Sequence, residues 1–292
     1  MIRALVVDPA AASGVRVADV PEPVASAGEV LVDVHHVSLN LGDLNDAKSG
    51  RVPPGAVLGS DVAGVAVESG ARVVGLTAGA FAERVVVREN ALAVVPDDVD
   101  LAHAAALPVA GLAALQSLRA AGVGPGTRVL VTGASGGVGR FAVRLAAHAG
   151  ASVIASVGSL PRAAGLDVPV VVGLDGVTEV DVVIDNVGGP QLVAAWGLLA
   201  PGGNVQSIGW SSGEPAAFPP YATVGPPKSL TSFLIDPTTA GKDLAELLGH
   251  LSAGTLTVDV GWQGPLTDYA TAAEALRNRR VAGKAVLSVA HP

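Results

Sequence analysis

The clearest chemistry in this chain lies in Val129-Leu130-Val131-Thr132-Gly133-Ala134-Ser135-Gly136-Gly137-Val138-Gly139. An apolar strand-like segment runs into glycines and then into a segment of helical character, Val138–Ala149. Read from Ala134, the turn is A-x-G-x-x-G, with alanine in the first glycine position. Gly136 lets backbone approach a pyrophosphate, and Gly139 lets a helix pack closely on the strand. The helix N-terminus then offers free N–H groups to phosphates. A glycine pattern alone says little; strand, turn and helix in this order make it a dinucleotide-site signature.

The second strand of such a unit, Ser152–Val157, tells the cofactors apart. An NAD site has an acid near its end that bonds the ribose 2′-hydroxyl. Here the chain continues Gly158-Ser159 with no acid, and Arg162 follows. A missing acid beside an arginine fits a 2′-phosphate, so NADPH is favoured over NADH. The competing reading leaves Arg162 as a solvated residue at a helix start.

Other chemistries lack their residues. There is no cysteine and there are six histidines. His35 and His36 are neighbours on an expected strand, so they point to opposite faces. No pair has HxH or HxxxH spacing, and three-ligand catalytic zinc has no candidate set. No metal is expected. Neither Ala134-Ser135-Gly136 nor Gly158-Ser159 forms a G-x-S-x-G nucleophile elbow.

These residues need a scaffold, and 292 residues with half of them hydrophobic are enough for two domains. The net charge of −8 comes without Lys/Arg clusters, which argues against nucleic-acid binding. Mean hydropathy is +0.51, yet no uninterrupted apolar run approaches the roughly 18 residues of a membrane span. Met1–Pro9 carries no basic leader, so a soluble cytoplasmic chain is expected.

The first hundred residues read as Val-rich strands between turn residues: Arg3–Val7, Arg16–Val20, Glu29–Val37, Asp61–Glu68, Arg72–Leu76 and Phe81–Val87. Leu101–Leu107 and Gly111–Ala121 look helical. From Thr127 strands alternate with helices, which predicts a parallel sheet. Its strands are Arg128–Thr132, Ser152–Val157, Val168–Val172, Asp181–Asp185, Gly203–Gly209 and Ser229–Ile235. The tail breaks this rhythm with helices at Lys242–Leu251 and Ala270–Asn278 and strands at Thr255–Val260 and Lys284–Val289. It is expected to return to the first domain.

Several segments now stand together. Val37-Ser38-Leu39-Asn40-Leu41-Gly42-Asp43 looks like an L-N-x-x-D motif, and Gly59-Ser60-Asp61-Val62-Ala63-Gly64 like a G-x-D-x-A-G turn. Leu107–Leu115, Asp181–Gly189, Leu199-Ala200-Pro201-Gly202-Gly203 and Gly283–Leu287 follow in order. With the glycine-rich turn, the chain resembles the zinc-independent quinone oxidoreductase branch of the medium-chain dehydrogenase/reductase superfamily over nearly its whole length. Zinc-dependent relatives carry a ligand histidine where this chain has Ser60.

The resemblance implies an α/β fold in which a Rossmann domain, residues 113–239, is inserted into a GroES-like β-rich catalytic domain, residues 1–112 and 240–292. It implies an active site in the cleft between them, NADPH as cofactor and a homodimer. It places Asn40 beside the nicotinamide and Asn45 near the cofactor. Gly136, Gly137, Val138 and Gly139 would meet the pyrophosphate, and Gly158, Ser159 and Arg162 the adenosine ribose and its phosphate. Asn186, Val187, Gly209 and Ser211 would line the nicotinamide side, and Arg279 would reach the cofactor from the tail. Where many relatives have an aromatic residue, this chain has Asn45.

The expected reaction is hydride transfer to a quinone or a conjugated enone or enoyl acceptor. Without a Lewis acid, such acceptors need only hydrogen bonds at the developing oxygen. Asn40 is the candidate donor, and water, Asp43 or a histidine the proton source. Asn40 also reads as a turn cap and Asp43 as a helix-start or turn residue. Trp210 reads as a substrate wall or as packing, and Ser229–Ile235 as an edge strand open to a second copy or as an interior strand. Two other readings stand beside this one: a dedicated biosynthetic enoyl or ketone reductase, and a non-catalytic NADPH-binding sensor.

Overall fold

A computed structural model describes residues 1–290. The chain divides into two compact units. Unit 1 comprises Met1–Leu112 and the segment from Asp236 onward, and unit 2 is Ala113–Ile235.

Unit 1 begins with the antiparallel hairpin β1 (Ile2–Val7) and β2 (Val15–Val20). Its spine is β3 (Glu29–Leu39), whose Val32, Val34, Val37 and Leu39 are buried. A short helix α1 (Leu41–Ser49) follows, started by Asn40 and stopped by Gly50 in the left-handed conformation at φ 75°. Then come β4 (Asp61–Ala66), β5 (Arg72–Leu76), β6 (Arg84–Arg88) and β7 (Leu92–Val94). Helix α2 (Leu101–Ala104) is capped by Asp100, which accepts from Ala102 N–H. Helix α3 starts on Pro108, ahead of the start expected at Gly111, and runs to Ala120; proline suits the first turn of a helix.

Unit 2 is a six-stranded, all-parallel sheet. Its strands are β8 (Arg128–Val131), β9 (Ser152–Val157), β10 (Val170–Val172), β11 (Val180–Asp185), β12 (Leu199–Ser207) and β13 (Ser229–Ser232). Their spatial order is β10-β9-β8-β11-β12-β13, the doubly wound dinucleotide-binding order. Helix α4 (Gly137–His148) links β8 to β9, and α5 (Gly189–Gly197) links β11 to β12. Between β9 and β10 the chain makes only one 3-10 turn, Leu160–Ala163. Leu130, Val183, Leu192, Ala195 and Val205 form the core between sheet and α5. Burying each of the larger side chains contributes about 1.5–3 kcal/mol.

The tail returns to unit 1 as α6 (Ala240–Ser252), β14 (Val260–Pro265), α7 (Tyr269–Arg277) and β15 (Lys284–Ser288). Thr255–Val260 is therefore largely not a strand; the pairing begins at Val260. The sheet of unit 1 runs β14-β15-β3-β4-β5-β7, with β6 also on β3. β4 occupies one edge of β3. The other edge is shared: β6 pairs with Glu29–Asp33 and β15 with His36–Leu39. A register shift between Val34 and His36 breaks the alternation at the two histidines. No helix among the described residues is long and apolar enough to cross a membrane.

Candidate active site

In unit 2 the predicted cofactor residues gather at the carboxyl ends of β8, β9, β11 and β12, where ligands of such sheets bind. The tight turn after β8 falls on Gly133, at φ +60°, one residue before the position the A-x-G-x-x-G pattern gives it. Ala134 N–H donates to the Ser156 carbonyl at 2.9 Å, tying this turn to β9. A Cβ on Gly139 would lie 2.4 Å from the Gly133 oxygen and 2.6 Å from Ala134 Cα, so the helix can approach only as glycine. Gly137 and Val138 occupy the first turn of α4, whose amides have no intrahelical acceptor. A Cβ on Gly158 would meet nothing within 4 Å. This is open space beside the end of β9, and Ser159 there is exposed.

The β11 end is laced to the β8 turn. Asn186 Nδ2 donates to the Thr132 carbonyl at 2.9 Å, and its backbone N–H to Thr132 Oγ1 at 3.0 Å. Asp185 is fully buried. It accepts from Thr132 Oγ1 at 2.6 Å and from Gly188 N–H at 2.9 Å, and burial raises its pKa. The Asn186 carbonyl accepts from Ser211 Oγ at 2.9 Å, and Gly209 N–H donates to the Asp185 carbonyl at 3.1 Å. Asn186, Val187, Gly209 and Ser211 therefore sit together. Asn186 Oδ1 is buried without a hydrogen-bond partner, as expected of a group that awaits a ligand donor. Trp210 is half exposed and packs its ring over Gly188. The open end of β9, the free first-turn amides and this orphaned acceptor fit a dinucleotide.

Unit 1 holds a buried polar cluster that β-pairing assembles. Ser38 stands opposite Asp61 on β4 and opposite Val286 on β15, so Lys284 is delivered beside Asn40. Lys284 and Asp61 are buried and 3.2 Å apart. Asn40 Oδ1 accepts from Lys284 Nζ, and its Nδ2 donates to Asp61 Oδ2 at 2.9 Å. Ser38 Oγ also donates to Asp61 Oδ2, and Val109 N–H donates to Asp61 Oδ1 at 2.8 Å. The Asn40 amide is thus fixed in orientation by an ammonium on one side and a carboxylate on the other.

Asp43 is buried at the start of α1, where it accepts from Asn40 N–H at 2.8 Å, the reach-back half of a capping box. Ser60 Oγ lies 3.4 Å from its other oxygen. Burial, and then the charge of Asp61, push the Asp43 carboxyl up to about 7. Tyr269 is buried nearby with its hydroxyl unpartnered; burial, and then Asp43, push it up to about 12.

Asn40 and Asp43 thus lie together in unit 1, whereas Asn45 is exposed on α1 and Arg279 is exposed after α7, at φ +56°. His36 is half-buried on β3, and burial lowers its pKa. Among the described residues no group of three or more His, Cys, Asp and Glu could hold a metal ion. Lys284, Asp61 and Ser38 were not singled out as site residues from sequence. The available signal is a lysine and an aspartate, each the first residue of an expected strand.

The sequence matches the alcohol dehydrogenase GroES-like domain over residues 26–98 and the zinc-binding dehydrogenase family over residues 167–287. It is similar to 2-methylene-furan-3-one reductase of Solanum lycopersicum, 30% identical over 315 residues, covering 96% of this chain and 74% of that one. A 163-residue stretch is 42% identical to the erythronolide synthase EryA2 of Saccharopolyspora erythraea; it covers 51% of this chain but only 4% of the length of that synthase. The structure resembles the quinone oxidoreductase of Thermus thermophilus, which has been solved with NADPH. The TM-score is 0.84 at 30% identity over 98% of this chain and 99% of that one. These matches extend over both units, and the chain belongs to the quinone oxidoreductase branch of the medium-chain dehydrogenase/reductase superfamily.

Proposed function

We propose that this chain is a zinc-free, NADPH-dependent oxidoreductase that transfers hydride to a quinone or a conjugated enone or enoyl acceptor. The observation that carries the reading is the glycine turn into α4 with Arg162, and no acid, beyond the end of β9. Unit 2 is the dinucleotide domain and unit 1 the GroES-like catalytic domain. The NADPH held by the Thermus thermophilus relative supports the choice of cofactor.

Gly137 and Val138 amides would hold the pyrophosphate, with Gly136 and Gly139 allowing the approach. Ser159 and Arg162 would hold the 2′-phosphate beside Gly158. Asn186, Val187, Gly209 and Ser211 would flank the nicotinamide. When bound, NADPH supplies the hydride. Asn40 has one Nδ2 hydrogen on Asp61 and a second to offer an acceptor oxygen. Burial and Asp61 raise the Asp43 carboxyl to about 7, so it can both hold and release a proton near neutral pH, which makes it a candidate proton source. We place no role on Asn45 or Arg279 beyond the contacts with cofactor that family resemblance implies.

Fluorescence titration with NADPH and with NADH tests the reading, followed by NADPH oxidation with a panel of quinones and enones. Arg162→Ala removes a charge-assisted contact worth about 1.5–3 kcal/mol, so NADPH affinity drops roughly 10- to 100-fold. Equal affinity for both cofactors, or none for either, overturns it.

A second reading has its own support in the similarity to the erythronolide synthase: a dedicated biosynthetic enoyl or ketone reductase. Turnover of an α,β-unsaturated thioester with quinones inert favours it. We further propose a homodimer in cytoplasm, built through the edge strand β13, whose four residues are all exposed.

A further inference from the structure

We propose that Arg140 is a positioning residue for NADPH selectivity, acting by fixing the turn that carries Arg162. The inference rests on the assignment of Arg162 to the 2′-phosphate.

Arg140 follows the last glycine of the β8–α4 turn and is buried. Its guanidinium donates in two directions. Nε reaches the Ser135 carbonyl at 3.3 Å, inside the glycine-rich turn. One terminal nitrogen reaches the Arg162 carbonyl at 3.1 Å, in the 3-10 turn after β9, and the Ala164 carbonyl at 2.9 Å, just past it. Arg162 in turn sends Nε to Ser135 Oγ at 3.1 Å. Ser135 therefore receives one guanidinium on its carbonyl and a second on its hydroxyl. Arg144, one helical turn on, continues the strap by donating to the Gly165 carbonyl at 3.2 Å.

The planar, multi-donor geometry of Arg140 suits this bridge. The link from β9 to β10 has only the short turn, so its backbone depends on such contacts for a fixed position. Arg162, held at that serine, is a positive locus beyond the end of β9, where the chain carries no acid. An anionic 2′-phosphate gains from that locus, whereas a 2′-hydroxyl gains little. Arg140 therefore acts on the cofactor through the position of Arg162.

The test is a double-mutant cycle on the full chain, with dissociation constants for NADPH and NADH and the thermal midpoint of each variant. Arg140→Leu is expected to weaken NADPH at least tenfold and to change NADH less than twofold. In the Arg162→Ala background the same change is expected to add less than twofold for NADPH. Equal weakening of both cofactors shows a general structural role and overturns the inference; so does an Arg140 effect that multiplies fully with that of Arg162→Ala. Should Arg140→Leu fail to fold, Ser135→Ala removes only the hydroxyl under Arg162. It is expected to weaken NADPH about threefold or more with NADH unchanged, and no change in NADPH overturns the inference. A wild-type protein that binds the two cofactors alike overturns the NADPH assignment itself. Retention of full NADPH preference in a folded Arg140→Leu variant overturns the role of Arg140 alone.

Discussion

At the residue scale, the chemistry of unit 1 depends on how three charges share one buried place. Lys284 faces Asp61 directly, and Asn40 spans the two. Asp43, next to them, is a carboxyl that burial and Asp61 disfavour as an anion. Folding therefore prefers its protonated form. The stability this contributes is fully present below about pH 4 and is lost as pH rises through about 7. The rise from an ordinary 3.8 to about 7 corresponds to on the order of 4 kcal/mol. Asp43→Asn stays neutral throughout and keeps an oxygen for Asn40 N–H. Denaturant unfolding of both proteins from pH 4 to pH 8 is expected to show wild type losing stability relative to the variant over that interval. Parallel curves would mean that the carboxyl is ionised in the folded chain.

At the element scale, the β8–α4 junction is the part most exposed to a change of one atom. Gly139→Ala places a methyl 2.4 Å from the Gly133 oxygen, and that neighbour is backbone that cannot swing aside. Overpacking of this kind costs about 1–3 kcal/mol, so the variant unfolds at lower denaturant and binds NADPH more weakly. Gly158→Ala, with nothing within 4 Å, is expected to keep its unfolding midpoint, within roughly 0.5 kcal/mol. The strands around this junction were legible because a parallel strand buried on both faces reads as an unbroken apolar run. Val129-Leu130-Val131 in β8 is the clearest case. Helix α1 was not, since Leu41, Leu44 and Ala47 are the only apolar residues in nine and its start lies in an Asn-x-x-Asp pair. The strand expected over Thr255–Val260 lies later because pairing with β15 sets it. Gly261, whose Cβ would sit 2.2 Å from the Ala282 oxygen, marks the close approach that an apolar pattern does not report. Asn40 and Asp43 could be chosen from a local motif. Their partner Lys284 could not, because 244 residues separate it from Asn40 and only the shared edge of β3 joins them.

At the scale of the whole molecule, the six-stranded sheet ends on β13, which has β12 on one side only. Leu230 is 43% exposed and Leu234 89%. An uncovered edge with apolar side chains invites pairing with another strand. Sedimentation equilibrium is expected to return twice the chain mass of 28.8 kDa, and Leu230→Lys to return the single mass. A wild-type protein at the single mass would remove the homodimer. The shared edge of β3 has a consequence for the order in which the chain can fold as it is made. Every strand of unit 2 lies between Arg128 and Ser232, so that sheet can close once those residues have left the ribosome. Unit 1 started first but must wait for β15. Domains fold as they emerge, at about 5–20 residues per second, and here the earlier-begun unit finishes last. Until Lys284 arrives, half of one edge of β3 lacks its strand and the Asp61 carboxylate its ammonium. The nascent chain thus carries a finished parallel sheet while unit 1 still holds an open seam.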